Sequence, residues 1–95
     1  MAIYASTFHK LERIYKGVSN HRRIQILFYI ESHENASLDE IVENTKCNIK
    51  TIAEHVRRLV IAGLVNKHYQ GKFVRHSLSP YGIKMFKHIK TFSHS

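Results

Sequence analysis

Between Asn48 and Ser79 the hydrophobic period of the chain switches once, from helical to alternating, and this restricts the folds open to it. In Asn48-Ile-Lys-Thr-Ile-Ala-Glu-His-Val-Arg-Arg-Leu-Val-Ile-Ala-Gly63, residues Ile49, Ile52, Val56, Leu59 and Val60 follow the 3.6-residue period of an amphipathic helix. Lys50, Thr51, Glu54, His55, Arg57 and Arg58 fall on its flanking or outer faces. Asn48 is placed to cap this helix and Gly63 to end it. Leu64 to Ser79 then reads as two β segments pivoting on Gln70-Gly71, where glycine permits the positive φ of a tight hairpin. The apolar residues of both pieces point one way and leave a cationic surface outward. Such a helix beside a basic hairpin suits the grooves and phosphates of a nucleic-acid duplex.

The remaining segments read as helices. The first covers about Ile3 to Lys16, with Tyr4, Phe8, Leu11 and Tyr15 on one stripe, Ile14 beside it and Gly17 at a stop position. A second, capped by Ser19 or Asn20, runs to about His33 and buries Ile24, Leu27, Phe28 and Ile30. Ser37-Leu-Asp-Glu40 is a capping box that opens a short third helix burying Leu38, Ile41 and Val42 and ending near Thr45. Lys46-Cys47-Asn48 makes the turn into the fourth. Ser79-Pro80, cap then N1 proline, starts a last helix with Ile83, Phe86, Ile89 and Phe92 on its apolar face. The expected fold is mainly α with a small β-hairpin: five helices and a two-stranded wing between the fourth and fifth. Ninety-five residues are too few for two independent cores, so residues 1–95 are expected to form a single domain.

Charge is distributed unevenly. The formal net charge is +8, yet all seven acids lie at or before Glu54. From His55 onward there are eight Lys or Arg, five His and no acid, whereas residues 31–54 carry six acids against Lys46 and Lys50. A polyanion is drawn to the C-terminal half and repelled by the acidic segment. The competing reading is a basic surface that serves solubility alone. Cys47 is the sole cysteine, which excludes an internal disulfide and fits a reducing cytoplasm. The N-terminal residues lack the pattern of a secretory signal, and the longest apolar stretch, Ile26 to Ile30, is too short to span a bilayer. A cytoplasmic protein is expected.

Three segments in register resemble a known family. His21-Arg-Arg-Ile-Gln-Ile-Leu27 resembles the start of the second helix in ArsR-like winged helix-turn-helix transcriptional regulators. His55, Leu59 and Ala62-Gly-Leu-Val65 are similar to the end of their recognition helix, and Gly71-Lys-Phe-Val-Arg-His-Ser-Leu78 to their wing. The resemblance covers about Val18 to Pro80. It implies a homodimer formed through the first and last helices, with recognition helices in successive major grooves and wings reaching the flanking minor groove or backbone. It also implies base-edge or backbone contacts from Lys50, Thr51, Glu54 and His55, and a basic wing tip at Lys72. Where many relatives have serine and arginine this chain has Ala53 and Glu54, so sequence preference does not carry over.

The residues themselves extend this set. Arg75 joins it from its exposed alternation with Val74, and Asn48 from its place at the start of the fourth helix. Arg22 and Arg23 sit at a helix N-terminus, where the dipole disfavours cations, a conflict that often marks function. Arg23 matches the family's usual structural arginine, whereas Arg22 is freer to meet a phosphate. Arg58, with Arg57, either touches phosphate or solvates the helix end. Glu54 either accepts from a cytosine amino group or pairs with Arg57 or Arg58, the simpler reading. Tyr4, Phe8, Phe86 and Phe92 supply more apolar surface than one small core needs; with Leu11 and Ile89 they are the expected dimer contacts, the alternative being that some simply pack on the winged helix.

Metal sensing, which the family resemblance also raises, finds little support. The third helix holds no cysteine, the last holds no acid, and His88 and His94 are six residues apart, which is not same-face spacing. No cofactor, metal or small-molecule effector is expected. Cys47 is either a thiol switch or an ordinary turn residue. No phosphate-cradling glycine loop or nucleophile–base–acid set suggests an enzyme. The leading expectation is a dimeric, sequence-specific duplex-DNA-binding regulator, most often a repressor. The rivals are a winged-helix module that docks an acidic protein and an RNA-binding winged helix.

Overall fold

The computed structural model describes residues 2–93, with side chains from residue 6 onward. Its elements in order are α1 (Ala2–Val18), α2 (His21–Ser32), α3 (Leu38–Thr45), α4 (Ile49–Ile61), β1 (Val65–Gln70), β2 (Phe73–Leu78) and α5 (Pro80–Lys90). Five helices with an antiparallel hairpin after the fourth is the arrangement the sequence predicts. No helix among the described residues is long and apolar enough to cross a membrane.

Polar caps set the helix starts. Asn20 Oδ1 accepts from the backbone N–H groups of Arg22 and Arg23 at 2.9 and 3.3 Å. At α3, Glu40 N–H donates to Ser37 Oγ at 3.2 Å while Ser37 N–H donates to Glu40 Oε1 at 3.0 Å, completing the capping box. Asn48 Oδ1 accepts from Lys50 N–H at 2.7 Å. Ser79 Oγ accepts from Gly82 N–H at 3.0 Å and donates to the Gly63 carbonyl at 2.5 Å, so one hydroxyl starts α5 and ties it to the end of α4.

The core is an aliphatic cluster centred on α2. Ile26, Leu27, Ile30, Ile41, Ile52, Leu59 and Leu64 are essentially sealed, with Ile14 and Val18 of α1 and Met85 of α5 closing it. Burying such a side chain stabilises the fold by about 1.5–3 kcal/mol each. The predicted face of α2 is corrected here: Ile26 is fully buried, while Ile24 and Phe28 are only half-buried. Packed by α3, α4, β2 and α5, α2 buries more than one stripe. Leu38 and Val42 are likewise half-buried around the sealed Ile41.

Ile49 is 47% exposed, against expectation, because it is the first residue of α4, before the buried row begins at Ile52. On α5 the inward row is Gly82, Met85, Phe86 and Ile89, which leaves Ile83 outside. The reason lies at Gly82: a Cβ there would come within 2.0 Å of the Leu64 carbonyl oxygen, so this side of the helix rests directly on the chain leaving α4.

The hairpin pairs Val65 with Leu78 through to Gln70 with Phe73, leaving Gly71-Lys72 as the two-residue loop rather than Gln70-Gly71. Gly71 has φ 63° and Lys72 has none of the positive φ values, the pattern of a type II′ turn with glycine first. On the far edge of β2, Ala36 pairs with His76 as a single bridge. The base of the wing is therefore held on both sides.

Gly17 does not stop α1; the helix continues to Val18. Its lack of a side chain serves a crossing instead. A Cβ at Gly17 would lie 2.2 Å from Ala62 Cβ, so α1 and α4 touch backbone to side chain. Alanine in a helix interior ordinarily gains about 0.5–1 kcal/mol over glycine. Here overpacking, at about 1–3 kcal/mol, is the larger effect. Gly17→Ala is expected to lower the denaturation midpoint, and Ala62→Gly in the same chain to recover part of the loss; a Gly17→Ala variant more stable than wild type would disprove the close crossing.

Candidate nucleic-acid interface

The turn Lys46-Cys47-Asn48 joins α3 to α4 through a left-handed Lys46, φ 57°, whose Nζ pairs with Glu43 at 2.6 Å. Three buried residues of α4, Ile52, Val56 and Leu59, face the core. Their burial turns Lys50, Thr51, Glu54, Arg57 and Arg58 outward, and all five are exposed. Lys50 and Thr51 make no side-chain hydrogen bond among the described residues. Asn48, also exposed, spends its Oδ1 on the cap.

Glu54 sits between two arginines. Arg57 Nε and Nη2 donate to its oxygens at 3.0 and 3.2 Å, and Arg58 Nε at 2.9 Å. These bonds hold its carboxyl below the usual range, Arg57 contributing most and Arg58 next. Of the two readings of Glu54, the geometry is that of pairing. Exposed pairs of this kind add little stability, but they remove a repulsive charge from the outer face.

His55 does not project freely. It is half-buried toward the N-terminus of α2, and burial, followed by the charge of Arg23, pushes its pKa below the ordinary histidine value. It lies at the edge of α4, where the outer face turns into the packing surface. Arg22 is half-buried as well, its Nη1 donating to Gln25 Oε1 at 3.0 Å.

The wing tip returns to α4. Lys72, Phe73 and Val74 line a groove of about 340 Å³ together with Ala53 and Val56 of α4 and Ser37 to Asp39 at the start of α3. This brings Lys72 to the Ala53 edge of the helix. Two expectations for the wing need correction. Its apolar residues do not all point inward: Tyr69 is 73% exposed and Phe73 is exposed at the tip, with the Lys72 and Arg75 head groups 6.0 and 5.5 Å from the Phe73 ring. Nor is Arg75 freely exposed; it is half-buried, with Nη1 3.5 Å from Glu40 Oε1. Because β2 runs beside the start of α3, its middle residues meet the protein before they meet solvent.

Sequence reasoning missed the anchor of the wing. His76 is buried, and its Nδ1 donates to the Ala36 carbonyl at 2.9 Å. A carbonyl only accepts, so Nδ1 carries the proton. The His76 N–H donates to the same carbonyl at 2.9 Å, and Asn35 N–H donates to the His76 carbonyl at 3.1 Å. His68 Nε2 and Asn35 Oδ1 add a bond of 2.9 Å across the hairpin. No local pattern announces a pairing forty residues apart; the one hint was a histidine on the inward side of the alternation.

The expected dimer residues separate into two groups. Phe8 and Phe92 are 63% and 65% exposed, and Leu11 is exposed with them. Phe86 instead packs edge-on against Phe28 of α2 at 4.7 Å, and Ile89 is half-buried beside it, so these two are mostly used within the chain. The side chain of Tyr4 lies outside the described residues. Tyr15, exposed on the same stripe as Leu11, meets His88, which in turn meets Phe92, joining α1 to α5. Among the described residues, no group of three or more His, Cys, Asp or Glu side chains is arranged to hold a metal ion. Cys47 is half-buried, its thiol donating to the Thr45 carbonyl at 3.4 Å.

A helix–turn–helix whose second helix presents a polar outer face, followed by a β-ribbon returning to that face, defines a winged helix-turn-helix. The family model for bacterial regulatory proteins of the arsR family matches residues 20–67. The chain belongs to the arsR family. Its fold is similar to the homodimeric winged helix-turn-helix DNA-binding domain of a possible ArsR-family regulator from Mycobacterium bovis, with a TM-score of 0.85 at 21% identity over 95% of this chain and 83% of that one. Reduced HlyU from Vibrio cholerae gives 0.84 at 21% identity over all of both chains. The transcriptional repressor PagR of Bacillus anthracis gives 0.80 at 15% identity, over 90% of this chain and 98% of that one. At these identities the likeness is one of fold. A comparison with curated proteins by sequence found no match.

The histidine anchor gives the fold a pH dependence. Burial pushes His76 below the ordinary histidine value of 6.5, opposed by its bond to Ala36 and reinforced by Lys67 and His68. The unfolded chain therefore takes up the proton first, and stability, full above about pH 6.5, falls as pH drops below it. His55, lowered for a similar reason, contributes in the same direction. His76→Asn can retain the donated hydrogen bond without titrating. Its melting temperature is expected to fall less between pH 7.5 and 5.5 than that of wild type, and an unchanged slope would remove His76 as the cause.

Proposed function

We propose that this chain is a dimeric, sequence-specific duplex-DNA-binding regulator that represses transcription in the cytoplasm by occluding a promoter. The observation that carries the reading is the outer face of α4, where Lys50 and Thr51 are exposed and Glu54 is neutralised between Arg57 and Arg58, with the Lys72 wing tip lining a groove at the Ala53 edge of the same helix. Lys50 and Thr51 would meet base edges in the major groove. Lys72 would meet phosphate, and Arg58 and Arg22 would add backbone contacts where their present partners can exchange for phosphate oxygens. Asn48 would act mainly by presenting the helix, and His55 by bordering the base-reading surface. Arg75 would position the wing through Glu40 rather than touch DNA.

The dimer would form through α1 and α5, with Phe8, Leu11, Tyr15 and Phe92 at its centre. A furrow of about 370 Å³ lined by Tyr15, Val18, Ile24, Met85, Ile89 and Phe92 supports this, since an apolar helix face can fill it. Residues 1–95 would then form one winged-helix domain with dimerisation helices at both ends. A two-fold dimer reads two half-sites about 10 base pairs apart, or a multiple.

Selection of duplexes from a random pool tests the reading: pseudo-palindromes are expected, and a single unpaired half-site would count against the dimer. On the selected duplex, Lys72→Ala should weaken binding on all sequences alike and lower the salt slope by roughly one ion. Thr51→Ala should instead reduce preference for the selected site by up to about 1–3 kcal/mol. Equal losses on selected and random DNA for both variants would refute this division of roles.

A further inference from the structure

The outer stripe of α4 does not end in solvent. Lys50, Glu54 and Arg58 follow one another at four-residue spacing, and Arg58 opens into a second cleft, of about 300 Å³, between α1, α2 and the end of α4. His9, Arg13 and Lys16, spaced four and three residues apart on one face of α1, form its other wall, and Arg23 of α2 reaches in between. Glu12 is the acid of the cleft, 3.4 Å from Lys16 Nζ, with both side chains more than half exposed. Four permanent cations and a histidine thus face one carboxylate, and Arg58 is shared with Glu54.

Arg23 is the unexplained group. Its Nε is buried and has no hydrogen-bond partner among the described residues. A buried donor left unpaired is costly, and a native fold that keeps one calls for an explanation such as an ion or ligand. The α2 N-terminus offers it no acceptor, because its free backbone groups are N–H donors and Asn20 Oδ1 already accepts from those of Arg22 and Arg23. Nor does packing against α1 call for a cation: Gly17 and Ala62 make that contact at the cleft floor. A planar guanidinium beside further cations in a concave site is chemistry suited to a tetrahedral oxyanion, held through paired N–H donors.

We propose that this cleft binds a phosphate group, with the Arg23 guanidinium as its innermost cation and Arg13, Lys16 and Arg58 supplying charge around it. His9, Arg13 and Arg23 line the cleft and not the apolar furrow between α1 and α5, while Lys16 borders both. The phosphate can come from the DNA backbone beyond the base-reading surface, a source that rests on the DNA-binding reading above, or from a small phosphorylated ligand.

Arg13→Ala/Lys16→Ala removes the exposed wall without touching the core, and Lys84→Ala/Lys87→Ala on α5 removes the same charge elsewhere. The Arg23 Nε–H resonance is followed while wild type and each variant are titrated with the selected duplex and, separately, with inorganic phosphate. The salt slope of duplex binding is measured in parallel. A saturable shift in wild type that is lost in Arg13→Ala/Lys16→Ala and kept in Lys84→Ala/Lys87→Ala supports the site. If duplex produces the shift and the salt slope falls by about one ion beyond the control, the backbone is the source. If inorganic phosphate alone produces it, the ligand is a free phosphate. An Arg23 signal that moves with neither, or moves equally in Arg13→Ala/Lys16→Ala, overturns the proposal. Should wild type bind no duplex, the DNA reading fails and the inorganic phosphate titration still decides this one.

Discussion

The burial of Ile52, Val56 and Leu59 against α2 is the constraint on which the rest depends. A helix has one rotational setting once three residues on one face are sealed, and that setting decides which side chains reach solvent. Everything assigned to the outer face of α4 follows from it, including the exposure of Lys50 and Thr51 and the meeting of Glu54 with two arginines. Leu64, sealed just after Gly63, extends the constraint to the hairpin by fixing where β1 leaves the core.

Hydrogen bonds then do what apolar packing cannot, because a two-stranded ribbon alone is marginal in water. Ala36 covers the outer edge of β2, His76 holds it twice, and Glu40 meets Arg75. Glu40 has two duties: it completes the α3 cap and steadies the wing. Its carboxyl is held below the usual range first by the Ser37 backbone N–H, then by the Ser37 hydroxyl, with Arg75 adding a smaller share. The start of the helix-turn-helix and the pose of the wing are thus set by overlapping contacts.

What could be read from the sequence was what is encoded locally. Caps at Asn20, Ser37, Asn48 and Ser79, the periodic face of α4 and the glycine of the hairpin each act within a few residues, and each is where the pattern places it. The errors lie where distant segments decide. Ile49 and Ile83 are apolar by type but lie beyond their packing partners, while Ile26 and Met85 are buried by neighbours far along the chain. Phe86, left open between a second copy and the chain's own packing, is taken by Phe28 of α2. In the site, Lys50, Thr51 and Lys72 were legible because their positions follow from a period and a turn. The placing of His55, Arg75 and His76 was not, since it depends on how α2, the loop before α3 and the wing converge.

The crossing of α1 over α4 at Gly17 and Ala62 carries a mechanical consequence. Two helices this close, with no flexible side chain between them, cannot slide past one another without a clash, because packed interiors yield little. The two helices must therefore move together as one rigid unit. Whatever seats itself against the N-terminal helix meets a surface already fixed in position relative to the polar face of α4.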